Sequence, residues 1–168
     1  MPRGPEVLLA DASVLIDYVD TDVEILALVA ANFATVLIPR PILDQVPRLN
    51  ARQCRQLGVS VIEPETEILV QAGKRSAALG FRDTLCLVLC EVNRWTCVTN
   101  DGALLKACLR SKVSVRRGLN LMVELVVRRH LERDRALSVA RAIRAVNPFI
   151  TQAILADFEA LLTEAGRG

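Results

Sequence analysis

Apolar residues recur along this chain in two rhythms, short runs and helical stripes, and the two alternate. Short, largely apolar runs occupy Val7–Ala10, Thr35–Ile38, Val59–Ile62 and Thr96–Asn100, with a shorter one at Val113–Arg116. Runs of this length suit strands buried on both faces of a sheet. Between them the spacing turns helical. Val14, Leu15, Tyr18 and Val19 follow Asp11-Ala12-Ser13, and Asp22 stands as N-cap of a second helix to about Phe33. Beyond Pro39 and Pro41 a helix is expected around Ile42–Val46, interrupted near Pro47 and resuming to about Leu57, where Gly58 stops it. Pro64 fits the first turn of a helix to Leu79 and Gly80. Asp83 opens the most apolar helix, which ends near Arg94, and Asp101-Gly102 open another through about Leu109.

From about Leu119 the pattern is helical throughout, with one break at Asn147-Pro148. Leu121, Leu125, Val126 and Leu131 form one apolar face, Val139, Ile143 and Val146 a second, and Ile150, Ile154, Phe158 and Leu161 a third. The alternation predicts an α/β chain, a three-layer α/β/α sandwich with a central, mainly parallel sheet of four to five strands plus C-terminal helices. Residues 1–124 would form the α/β domain. Residues 125–168 would be a helical extension packed on the core or on a second subunit.

Composition narrows the class. A chain of 168 residues, 52% hydrophobic, is long enough to bury one sizeable core. Its mean hydropathy of +0.33 is high, yet no apolar run reaches the ~20 residues a bilayer needs. The N-terminal Met1-Pro2-Arg3-Gly4-Pro5-Glu6 lacks the apolar core of a signal peptide, so a cytoplasmic location and no membrane contact are expected. Five cysteines show no paired metal spacing, and with a single histidine, His130, they read as reduced small hydrophobes. Residues 1–101 hold 9 Lys+Arg against 13 Asp+Glu, and residues 102–168 hold 12 against 6. An acidic half followed by a basic half is compatible with a nucleic-acid substrate.

Four acids carry the candidate chemistry. Asp11 follows the first strand, Asp101 the fourth, Asp83 begins a helix, and Asp44 lies in the helical stretch after the second strand. In an open parallel sheet the crevice beyond the carboxyl ends of the strands is where ligands bind. Carboxylates gathered there repel one another unless a hard cation holds them, and Mg²⁺ or Mn²⁺ takes such oxygen ligands. Taken singly, Asp11, Asp83 and Asp101 read equally well as helix N-caps. Asp17, Asp20 and Asp22 read as solvated helix-end charges.

The segments Leu9-Ala10-Asp11-Ala12-Ser13-Val14-Leu15-Ile16-Asp17, Ile38-Pro39-Arg40-Pro41-Ile42-Leu43-Asp44, Asp83-Thr84-Leu85-Cys86-Leu87-Val88-Leu89 and Thr99-Asn100-Asp101-Gly102-Ala103-Leu104 resemble a PIN domain, closest to the VapC-like ribonuclease toxins of toxin–antitoxin pairs. The resemblance covers roughly residues 7–124. It implies a metal-dependent endoribonuclease whose acidic pocket binds Mg²⁺ or Mn²⁺ and cleaves RNA. It also implies a small antitoxin protein as partner and a homodimer. Carried over, Asp11, Asp83 and Asp101 match the family's aspartates, and Ser13 matches a small hydroxyl or amide residue that orients a carboxylate or phosphate. Asp44 falls where the family usually has glutamate, which shortens the reach by ~1.5 Å. Arg117-Gly118-Leu119-Asn120 replaces a frequent Gly-Thr, so a hydroxyl is missing.

Phosphodiester hydrolysis needs an acidified water, support for phosphorane-like charge and support for the leaving oxygen, which one or two divalent ions supply. Arg40, Arg82, Lys106 and Arg110 are the candidate substrate contacts, giving salt-dependent and mostly sequence-blind affinity. Arg128–Arg135 reads as a solvated helix face with ion pairs from Glu132 to Arg128 or Arg135. Two rivals stand beside the ribonuclease. One is a catalytically weak PIN-like module binding RNA or protein, and the other a metal phosphohydrolase acting on DNA or nucleotides.

Overall fold

A computed structural model of the protein describes residues 4–75 and 78–167. The elements run β1 (Glu6–Ala10), α1 (Ala12–Thr21), α2 (Glu24–Asn32), β2 (Ala34–Pro39), α3 (Arg40–Leu43), α4 (Ala51–Leu57) and β3 (Ser60–Ile62). They continue with α5 (Thr66–Arg75), α6 (Phe81–Asn93), β4 (Thr96–Val98), α7 (Gly102–Arg110), β5 (Val115–Arg116), α8 (Asn120–Val127), α9 (Arg133–Val146) and α10 (Gln152–Ala165). The five strands form one sheet in the order β3-β2-β1-β4-β5, and every pairing is parallel.

β1 sits at the centre, where Leu8, Leu9 and Ala10 are covered on both faces. That double burial is why the strand reads as an unbroken apolar run. Helices α5, α6 and α7 pack in one linked group, and α1, α2, α4, α8, α9 and α10 in another. The result is the three-layer α/β/α sandwich. The apolar faces of the C-terminal helices, through Leu131, Ala140, Ile143, Leu155, Phe158 and Leu162, join the same core as the sheet. The tail is therefore packed on the core, with α9 against α1 and α10 against α8 and α9.

Several boundaries differ from the sequence expectation. The helix after β2 is a single turn, and the chain is non-helical from Asp44 to Asn50, where a capping box of Asn50 and Gln53 starts α4 afresh. Gly58 ends α4 at φ +79, the left-handed conformation expected of it. Pro64 precedes α5 rather than opening it, and α5 ends at Arg75; residues 76 and 77 of the expected longer helix lie outside the described residues. α6 opens at Phe81 behind Gly80 at φ +80, which places Asp83 inside the first turn. Val23, not Asp22, precedes α2, because Asp22 ends α1 and accepts hydrogen bonds from the Arg135 guanidinium.

The tail departs in detail too. Residues 128–132 form a turn between α8 and α9 rather than one solvated helix face, and Arg128 pairs with Glu124 instead of Glu132. Val146 and Leu161 are exposed, and Leu155, Phe158 and Leu162 fill the buried face of α10. No helix among the described residues is long and apolar enough to cross a membrane.

Candidate metal centre at the carboxyl edge of the sheet

Parallel pairing of β1 with β4 sets Ala10 beside Val98, so the residues that follow both strands emerge side by side. The Asp11 N–H donates to the Val98 carbonyl at 3.1 Å and extends the ladder by one bond. Asp11 then turns the chain into α1 as its N-cap, with an extended backbone. Asp11 is 3% exposed, and its carboxylate is fully engaged on one oxygen. Oδ1 accepts from Ser13 Oγ at 2.7 Å and from the Val14 N–H at 3.1 Å, and Oδ2 accepts from Thr99 Oγ1. Burial raises the pKa of Asp11, these three hydrogen bonds oppose the rise, and the Asp101 charge adds to it.

Thr99 ties the two strand ends together. Its hydroxyl donates to Asp11 and accepts the Asp101 N–H at 2.9 Å. Asp101 caps α7, its Oδ1 accepting from the Ala103 and Leu104 N–H groups at 2.8 and 3.2 Å. Asp83 comes from the other side, on the first turn of α6, and makes no cap. Its carboxylate has no hydrogen bond or ion pair among the described residues. Burial, then Asp101, then Asp11 push its pKa from 3.8 up to about 6. Asp11, Asp83 and Asp101 are thus brought within electrostatic reach of one another. Two of the three do act as helix caps, and Asp83 does not.

Asp44 stands apart. It is exposed at the end of α3, beyond the carboxyl end of β2, and the carboxylates that bear on Asp83 are Asp101 and Asp11 only. Among the candidate cations, Arg40 is paired with Glu63 at 2.9 Å. Arg82 is exposed next to Asp83, and Lys106 is exposed on α7. Arg110 occupies the last turn of α7, about 13 Å along the helix from Asp101 at 1.5 Å per residue, so it belongs to the opposite end. Arg117, half-buried after β5, lies at the carboxyl edge and was not singled out from sequence.

The larger surprise lies behind Asp11. Asp17, expected in solvent, is 4% exposed. Its Oδ2 accepts from Asn100 Nδ2 at 2.7 Å, and both its oxygens accept from Asn147 Nδ2, at 3.0 and 2.9 Å. Burial raises its pKa against these two amides. Asn100 Oδ1 in turn accepts the Gly118 N–H at 2.9 Å, and the Gly118 carbonyl accepts from the buried Tyr18 hydroxyl. Desolvation drives the Tyr18 pKa far upward, so the phenol serves as a fixed donor. Asp20 and Asp22 are also engaged, with Arg48 and Arg135.

The donor set suits a hard divalent cation. Each carboxylate oxygen has two acceptor positions, so Asp83 keeps both oxygens free, Asp101 keeps Oδ2, and Asp11 keeps one position on Oδ2. All the donors are oxygen, with neither thiolate nor imidazole. Among the described residues, no group of three His, Cys, Asp or Glu side chains is arranged to hold a metal ion by itself. A cation at this edge would have to keep several waters and take only one or two of the carboxylates directly, as Mg²⁺ does. The cysteines are all buried and free. An apolar groove between α8 and α10, along Val126, Val127 and Leu161, is lined by none of these acids. No protein-family model and no curated protein matches the chain.

Proposed function

We propose that this chain is a metal-dependent endoribonuclease of the PIN-domain type, the VapC-like toxin of a toxin–antitoxin pair. The observation that carries this reading is Asp83, a half-buried carboxylate with no protein partner among the described residues, facing the charges of Asp11 and Asp101. Three carboxylates held against mutual repulsion at the ligand-binding edge of a parallel sheet gain most from a bound cation. Mg²⁺ or Mn²⁺ bound there would supply Lewis acidity and a more acidic water for phosphodiester hydrolysis.

The chain's own residues do the rest. Asp11, Asp83 and Asp101 hold the ion, Ser13 and Thr99 orient the Asp11 carboxylate, and Arg82, Lys106 and Arg117 contact RNA phosphates. Asp44 would act through an intervening water. A cytoplasmic location fits reduced cysteines. A small antitoxin would cover the acids together with Phe81, which is 39% exposed two positions before Asp83. A homodimer would use other exposed apolar residues such as Val92 or Leu109.

The test is cleavage of single-stranded RNA, single-stranded DNA and a nucleotide panel, with Mn²⁺ or with chelator. Chelator-sensitive RNA cleavage lost in Asp11→Asn is expected, and RNA cleavage that persists in Asp11→Asn would refute the reading. A second reading, a weakly active or inert RNA-binding module, is favoured by the exposure of Asp44. It calls for RNA binding without cleavage.

A further inference from the structure

We infer, resting on that metal site, that Asn147 is a positioning residue for it, and that the C-terminal helices are therefore part of the site. Asn147 is the C-cap of α9, beyond the residues that resemble the nuclease family. Its backbone is extended (φ −111, ψ 105), as a residue before proline prefers. Its Oδ1 accepts the Phe149 N–H at 2.9 Å, which fixes the amide so that Nδ2 alone meets Asp17.

Asp17 passes that constraint to Asn100 through the 2.7 Å bond from Nδ2. Asn100 sits between Thr99, which holds the Asp11 carboxylate, and Asp101, and its own N–H reaches Ser13 Oγ at 3.4 Å. An amide on the tail thus sets the turn on which two of the three acids depend. Asp17 cannot do this unaided. A buried carboxylate left with one neutral partner would be free to tilt toward water, and Asn100 with it.

The amide is specific. The change Asn147→Asp would set a second carboxylate against Asp17, whereas exchanging the two groups leaves a single carboxylate in the pair and keeps one hydrogen bond between them, together with those to Asn100 and Phe149. In Asp17→Asn/Asn147→Asp, residue 17 still accepts from Asn100 and now donates to residue 147, which still accepts from Phe149. Full-length wild type, Asn147→Asp, Asn147→Ala and the exchanged double variant should be compared in two measurements. One is Mn²⁺ affinity by titration calorimetry, and the other is amide hydrogen exchange without metal.

Asn147→Asp should bind Mn²⁺ about tenfold more weakly, the scale for losing a partner that orients a metal ligand. Exchange should quicken at the Asp101 amide and not in β1 or α6, and the double variant should restore both. Asn147→Ala, which adds no charge, should move both readings the same way. Quickening spread evenly over the chain would overturn the positioning role. Wild-type affinity in Asn147→Asp beside lost affinity in Asp11→Asn would overturn the role of Asn147 alone. A wild type that takes up no Mn²⁺ would overturn the metal site and this role together.

Discussion

The α-carbon of Gly118 faces the Asn100 side chain so closely that a Cβ built on it would lie 2.9 Å from Nδ2 and 3.0 Å from Oδ1. Val14 Cγ2 would be a further 2.9 Å contact. All three atoms belong to buried side chains, and Asn100 is held by hydrogen bonds to Asp17 and Gly118. Gly118→Ala should therefore cost about 1–3 kcal/mol by overpacking. Urea unfolding with an unchanged m value would measure it, and a loss below about 0.5 kcal/mol would show that Asn100 can move.

Thr99→Val keeps the shape and removes the hydroxyl. It strands the Asp101 N–H and one oxygen of a buried carboxylate, an expected loss of about 1–3 kcal/mol. Mn²⁺ affinity should fall with it, while Thr99→Ser should retain both. Chemical denaturation and calorimetry on the three proteins would decide.

Stability of the metal-free protein should depend on pH through Asp83. The folded carboxyl titrates near 6 and the unfolded one near 3.8. Between these values the folded chain holds a proton that the unfolded chain has released, so stability falls as pH rises from about 4 to about 6. The melting temperature should thus drop more steeply over that interval in wild type than in Asp83→Asn. Equal slopes would place Asp83 in ordinary solvent.

Mg²⁺ or Mn²⁺ should reverse that loss at neutral pH by neutralising the group. A higher melting temperature with the ion, abolished in Asp101→Asn, is the expected outcome. A melting temperature indifferent to metal in wild type would count against the centre.

Asp44 separates two versions of the site. If it acts through water, Asp44→Glu should hold or raise cleavage and Asp44→Ala should lower it, though less than Asp11→Asn does. Neither change should alter stability by more than about 0.5 kcal/mol, because the side chain is exposed. Unchanged cleavage in Asp44→Ala would leave a site of three aspartates.

The sheet was legible because its strands carry their burial in local sequence. Val7–Ala10 and Val36–Ile38 are apolar on both faces, and Asp11 follows β1 directly while Asp101 lies three positions past the end of β4. Asp17 was not legible. An acid six positions after Asp11 on a helix looks like a solvent-facing charge, and only the fold brings Asn100 and Asn147 to it. Thr99 was visible as a residue two before Asp101, but its double bond depends on β1 lying beside β4. The periodicity put Leu161 on the buried face of α10, but packing against α8 and α9 buries its neighbour Leu162 and leaves Leu161 exposed.

Asp17 and its amide partners are separated by 83 and 130 positions. Asp17 leaves the ribosome well before Asn147, and chains begin to fold from the N-terminus as they emerge. Until Asn147 emerges, α1 therefore carries a buried-type carboxylate that lacks one of its two amide partners. The carboxyl edge of the sheet takes its final shape only once the residues after α9 have cleared the exit tunnel.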